Sequence, residues 1–190
     1  MRLFVALDID PAIQRRLEDY IRTLQPRLPG VRFVRGNTYH VTLKFLGELP
    51  TADAVRERLR TIHVSGFEVN VGGVGFFPDV RAPRVFWAGV NAPALPGLAR
   101  KVNQTLEPLG FPLERKFHPH LTLARNGSGR PRPLRGERPA EAFAQLSALV
   151  TAAPAPEFGT MTARQFFLYE SKLSPSGPSY SKLETFELAC

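Results

Sequence analysis

The chain has 190 residues, 43% of them hydrophobic, which is enough to bury one sizeable core or two small lobes sharing an interface, so one compact domain over residues 1–190 is expected. Lys and Arg total 25 against 17 Asp and Glu; the net charge of +8 and pI near 10.2 draw in polyanions, nucleic acid being the commonest in a cytoplasm, without identifying a site. No segment has the apolar length of a membrane helix, Asp8 and Asp10 stop the N-terminal run short of a signal peptide, and the single cysteine, Cys190, offers neither disulfide nor thiolate cluster, so a cytoplasmic protein without redox or zinc chemistry is expected.

Residues 2–9 read as a buried strand, Leu3, Phe4, Val5, Ala6 and Leu7 being apolar in succession. Asp10 then Pro11 is an N-cap followed by proline in the first helical turn, and Ile13, Leu17, Ile21 and Leu24 recur at helical spacing up to Pro26. Strands are predicted over 31–34 and 39–46, the latter ending at Gly47. Val55, Leu59 and Ile62 predict a helix over 51–62. Residues 67–77 return to strand, with Gly72, Gly73 and Gly75 marking a bulge or bend.

At residue 84 the pattern begins again. Arg84-Val85-Phe86-Trp87-Ala88 matches Arg2-Leu3-Phe4-Val5-Ala6, and the helix that follows, with Leu95, Leu98, Val102 and Leu106, ends at Pro108 as the first ends at Pro26. His120-Leu121-Thr122-Leu123 then repeats His40-Val41-Thr42-Leu43, with Gly127 standing after it as Gly47 stands after the first. A helix over 140–150 and a strand over 158–169 complete the second copy, Phe166-Phe167 answering Phe76-Phe77. The spacing is too long for a solenoid and predicts a duplication, repeat 1 about 1–80 and repeat 2 about 83–173, as two lobes facing each other about an approximate two-fold axis. A final strand is expected over 180–188. Between Asn126 and Pro139, a stretch carrying Arg130, Arg132, Arg135 and Arg138 has no apolar period and reads as a basic loop beside the second motif.

Strand side chains alternate between faces, so His40 and Thr42 share one face while Val41 and Leu43 share the other; His120 and Thr122 stand likewise against Leu121 and Leu123. Under two-fold symmetry the two polar faces line one central cleft. An imidazole titrates near ~6.5, so one histidine can accept a proton while the other donates one, with the threonine hydroxyls bonding phosphate oxygens. That is phosphodiester chemistry without metal or other cofactor. One His-x-Thr is a weak signal; two at matching points of a duplication are a strong one. Of the other histidines, His63 suits a helix C-terminus, where a cationic ring meets the dipole favourably. His118 offers a second nitrogen beside His120, but no carboxylate or cysteine close by in sequence completes a metal site.

The paired His-Val-Thr-Leu and His-Leu-Thr-Leu resemble the signature motifs of the 2H phosphoesterase superfamily. The run Tyr39 to Glu48 is similar to its RNA 2′,3′-cyclic phosphodiesterase branch, also called the LigT or ThpR family. The likeness extends from Leu3 through Gly75-Phe76-Phe77-Pro78, Pro83 to Trp87 and His118 to Arg125, as far as Ser171 to Gly177 and Tyr180. The resemblance implies a bilobal α+β fold, two antiparallel sheets with flanking helices, and hydrolysis of a 2′,3′-cyclic phosphate on RNA 3′ ends or nucleotides to a 2′-phosphate. It also implies that His40 is the proton donor and His120 the proton acceptor.

Five residues beyond each histidine stand Phe45 and Arg125, a ring and a guanidinium suited to sandwich a nucleobase. Strict alternation puts both on the wrong face, so the sandwich requires a bulge or twist. Lys44 falls by alternation on the catalytic face, within reach of phosphate, and Tyr180, after Gly177 and Pro178, is placed to close the cleft. Two other functions fit the same residues: joining RNA ends through a 2′,5′ linkage, the reverse reaction, and RNA binding without catalysis. A monomer is expected.

Overall fold

The computed structural model describes residues 1–114, 116–126, 139–174 and 177–189. They form an α+β chain: β1 (Arg2–Asp8), α1 (Pro11–Leu24), β2 (His40–Glu48), α2 (Asp53–Leu59), β3 (Phe67–Phe77), β4 (Val85–Asn91), α3 (Leu95–Leu106), β5 (His120–Arg125), α4 (Pro139–Thr151), β6 (Glu157–Ala163), β7 (Gln165–Ser174) and β8 (Gly177–Glu187).

Local signals account for the helices. Asp10 Oδ1 accepts the Ala12 N–H at 2.7 Å, and Pro11 opens α1 where its missing N–H costs nothing. The helix then buries Ile13, Leu17, Ile21 and Leu24, as α3 buries Leu95, Leu98, Val102 and Leu106. Each such burial is worth roughly 1.5–3 kcal/mol, so these stripes hold the helices on the sheet more than propensity does. They share one core with Leu3, Val5, Leu7, Val41, Leu43, Leu121 and Leu123, each 0–1% exposed. A second, small cluster forms separately from that core: Phe4, Ala6, Phe167 and Tyr169, with Tyr180 against them.

The sequence reading expects two sheets, and the structure corrects it. The strands form one eight-stranded sheet in the order β6-β3-β4-β5-β2-β1-β7-β8, antiparallel throughout, because Val41 on β2 pairs with Leu121 on β5 and joins two four-stranded halves. Outward from that joint stand β2 and β5, then β1 and β4, then β7 and β3, then β8 and β6. The sheet curls until its ends approach: Gly66 N–H donates to Ala189 O at 2.7 Å and Ala189 N–H to Val64 O at 2.9 Å.

Three expected elements differ. Residues 31–34, hemmed by Pro29-Gly30 and Gly36, are too short for a full strand; Phe33 makes a lone bridge to Ala124. The helix expected over 51–62 is confined to Asp53–Leu59. The strand expected over 158–169 breaks at Arg164, since β6 pairs with β3 and β7 with β1, in opposite halves of the sheet. Gly127 and the basic stretch with Arg130, Arg132, Arg135 and Arg138 lie outside the described residues. No helix among the described residues is long and apolar enough to cross a membrane.

Candidate active site

Val41 and Leu121 are both 0% exposed and face the core, so the residues flanking them face the opposite surface. Counting outward through the antiparallel pair brings His40 across from Thr122 and Thr42 across from His120. The two motifs therefore share one face of adjacent strands, and each imidazole is half-buried there.

The two rings are held alike. His40 Nδ1 lies 2.7 Å from Thr38 O, and His120 Nδ1 lies 2.7 Å from His118 O. A carbonyl oxygen only accepts, so each Nδ1 carries the hydrogen, and Nε2 is the nitrogen left for chemistry. A neutral ring in this tautomer is a base at Nε2, and a protonated one is an acid there.

Each motif strand also carries a bulge at the same point. Across β1 and β2, Ala6 pairs with Thr42 and Val5 with Lys44, so Leu43 is the extra residue. Across β4 and β5, Trp87 pairs with Thr122 and Phe86 with Ala124, so Leu123 is extra. Leu43 and Lys44 consequently both point inward, as do Leu123 and Ala124, and the next residue in each copy turns to the histidine side. Phe45 is 62% exposed there, 6.2 Å from Phe4, and Arg125 Nη2 donates to Thr122 Oγ1 at 3.3 Å. The strands run antiparallel, so Phe45 and Arg125 extend from the joint in opposite directions and stand towards the two ends of the site, each apart from the other.

The same bulge corrects the expectation for Lys44. Its side chain leaves the histidine face and is 2% exposed; Nζ bonds Asn103 Oδ1 on α3 at 2.6 Å and Pro112 O at 2.8 Å, with Glu114 at 3.8 Å. Burial lowers its pKa, partly offset by Glu114. Lys44 braces the segment leading to the second motif and does not face a substrate phosphate.

The surroundings of the two rings are unequal. Phe4 lies 4.8 Å from His40, and Tyr180 meets it edge-on at 5.1 Å. Asp8 pairs with His40 across the strands; its carboxylate takes the Tyr169 hydroxyl and, at 2.6 Å, the Lys182 ammonium. His120 has Phe77 edge-on at 5.1 Å and pairs with Gly89. Beside it opens a pocket of about 360 Å³ lined by Gly72, Phe77, Trp87, Gly89, His118 and His120. The Trp87 indole covers Gly75, where a Cβ would strike it.

Both imidazoles are pushed below the ordinary histidine pKa, chiefly by burial. For His40 the Thr38 carbonyl and Asp8 oppose this, while Arg125 and His120 add to it. For His120 the His118 carbonyl opposes it, and Arg125 and the His118 ring add to it. The rings thus lie close enough to feel each other's charge. Among the described residues no group of three or more His, Cys, Asp or Glu could hold a metal ion.

Sequence reasoning missed Asp8, Phe77 and Trp87. Asp8 reads only as the end of an apolar run, and Phe77 and Trp87 sit among strand aromatics that pattern alone assigns to the core.

The chain matches the family described as LigT like Phosphoesterase over residues 7–87 and 90–180. It is 35% identical to the RNA 2′,3′-cyclic phosphodiesterase of Archaeoglobus fulgidus over 190 residues, spanning 98% of this chain and 100% of that one. A crystal structure from Thermus thermophilus is similar with a TM-score of 0.77 at 28% identity, over 99% of this chain and 98% of that one. Escherichia coli LigT complexed with 3′-AMP is similar with a TM-score of 0.75 at 26% identity, over 98% and 97%.

Proposed function

The chain belongs to the LigT-like phosphoesterase family, and we propose that it hydrolyses the 2′,3′-cyclic phosphate of RNA 3′ ends or nucleotides to a 2′-phosphate, without metal or cofactor. The observation that carries this reading is the like anchoring of His40 and His120 on adjacent strands of one face. The name of the Archaeoglobus relative supports the substrate, and the 3′-AMP complex of the Escherichia coli protein supports a nucleotide in the cleft.

Water attacks phosphorus opposite O3′, and neutral His120 takes its proton at Nε2. The P–O3′ bond breaks, and His40 delivers its Nε2 proton to O3′, leaving the phosphate on O2′. The rings end with exchanged protons and reset through solvent. Thr42 and Thr122 donate hydroxyl hydrogen bonds to the non-bridging oxygens as their charge grows, and Arg125, bonded to Thr122, adds a fixed positive charge. Phe45 and Arg125 flank the bound nucleotide from the two ends of the site, and Tyr180 closes over it beside His40. General acid and base are each worth roughly 10²–10⁴ in rate, enough for a strained cyclic ester.

We read the single domain as an internal duplication, residues 1–80 and 83–173, acting as a monomer in the cytoplasm. The strand order that runs alike outward from Val41 and Leu121 supports the duplication, as do the bulges at Leu43 and Leu123.

The test is to incubate a 2′,3′-cyclic nucleotide with the protein and a chelator and resolve the product by phosphorus NMR. A 2′-phosphate is expected. A 3′-phosphate, or activity that disappears with chelator, overturns the reading. One observation favours the reverse reaction as a second reading: the 360 Å³ pocket lies on the side of the attacking nucleophile and far exceeds the ~30 Å³ that one water occupies. It leaves room for a nucleoside bearing a 5′-hydroxyl, and paired RNA ends should then yield a 2′,5′-linked product.

A further inference from the structure

We propose that Asp8 is a positioning residue that makes His40, rather than His120, the proton carrier, an inference that rests on the hydrolytic reading above. The two histidines have equivalent strand positions, motifs and anchors, so something outside the motifs must distinguish acid from base. Their cross-strand partners do. β1 stands beside β2 as β4 stands beside β5; the residue paired with His40 is Asp8, and the residue paired with His120 is Gly89. A carboxylate faces one ring, and bare backbone faces the other.

Both positions are fixed by their surroundings. Tyr169 donates its hydroxyl hydrogen to Asp8 Oδ1, and burial, aided by Asp8, raises the phenol's pKa, so it stays a donor. Lys182 holds Oδ2 at 2.6 Å while its ammonium lies 4.0 Å from the centre of the Phe167 ring. At Gly89 no such group can be installed, because a Cβ would stand 2.5 Å from Gly72 O. The asymmetry is thus built into the backbone.

The groups around His40 are Asp8 on β1, Tyr169 on β7, Tyr180 and the Asp8-bound Lys182 on β8, and His120 and Arg125 on β5. Asp8 is the one among them whose charge favours the protonated ring. Around His120 the charges come from Arg125 and His118, and both disfavour it. Asp8 therefore biases a proton shared by the pair towards His40.

Side-chain NMR titration of both histidines, with the pH profile of kcat on a cyclic mononucleotide, tests this in wild type, Asp8→Asn and Lys182→Met. Asp8→Asn should lower the proton affinity of His40 by about tenfold, partial neutralisation by Lys182 holding the effect to the low end for a close charge pair, and should leave His120 in place. The alkaline limb of kcat should move to lower pH by the same amount. Lys182→Met, at a half-exposed position, removes the competing cation and should move both in the opposite direction. A merely structural role would move neither, or would move both variants the same way. An unchanged His40 titration in Asp8→Asn overturns the proposal. If wild type fails to open the cyclic phosphate, the hydrolytic reading fails instead, and the NMR titration still decides the role of Asp8.

Discussion

His40 and His120 are anchored alike, each ring giving its Nδ1–H across 2.7 Å to the carbonyl oxygen two residues before it. Both therefore present Nε2, and loss of either should be comparably damaging. His40→Ala and His120→Ala should each reduce kcat/KM for a cyclic oligonucleotide by roughly 10²–10⁴, with the double variant little worse than the poorer single one. RNA affinity, measured by fluorescence anisotropy, should change by less than about fivefold, under ~1 kcal/mol. Turnover surviving both changes would leave only the RNA-binding reading.

The pH dependence follows from the direction of the two shifts. His120 must be neutral to act as base, and a lowered pKa keeps it neutral further into acid. His40 must be protonated to act as acid, and a lowered pKa makes it give up its proton before the ordinary value of 6.5 is passed. The optimum of kcat/KM, which reports the free enzyme, should therefore lie on the acid side of 6.5. A maximum in the alkaline range would contradict the assigned roles.

Lys44 separates a bracing role from a phosphate contact. Lys44→Met removes two charge-assisted hydrogen bonds, to Asn103 Oδ1, which keeps only the Glu114 N–H at 3.3 Å, and to Pro112 O, at a cost of about 1–3 kcal/mol. Urea denaturation should show that loss, while KM for a cyclic mononucleotide stays within about twofold, under ~0.5 kcal/mol. A large rise in KM with unchanged stability would return Lys44 to the substrate.

Phe45 should behave in the opposite way. It is 62% exposed, so Phe45→Ala should alter stability by less than about 0.5 kcal/mol. If a nucleobase stacks on it, that stacking is worth roughly 1–3 kcal/mol, a 5- to 150-fold rise in KM for an RNA end. Equal KM values for the variant and wild type would remove Phe45 from the binding surface.

The parts of the site that were legible in the sequence are those that depend on period two. His40 with Thr42 and His120 with Thr122 sit on one face because alternation holds up to the bulge, and the buried Val41 and Leu121 mark the reverse side. Beyond Thr42 and Thr122 alternation fails. The second copy carries a hint, since Leu123 and Ala124 are consecutive apolar residues, as two inward-facing neighbours should be. In the first copy Lys44 masks that hint, because an amphipathic side chain reads as surface until a partner such as Asn103 is seen. The change of partners at Arg164 and the joining of two half-sheets through one residue pair are tertiary choices that leave no local pattern.

Strand neighbours recur in the same sequence to left and right of the central joint, so the proposed nucleotide substrate would have two ways to lie down across it. In one pose its sugar abuts Tyr180 beside His40; turned end for end, it slides over the naked main chain of Gly72 and Gly89. In the proposed reaction the first pose aims O3′ at the acid, and the second aims it at the base, where no proton waits. On that mechanism the mismatch between the two walls would act as a compass for the guest, settling the regiochemistry of the product at docking.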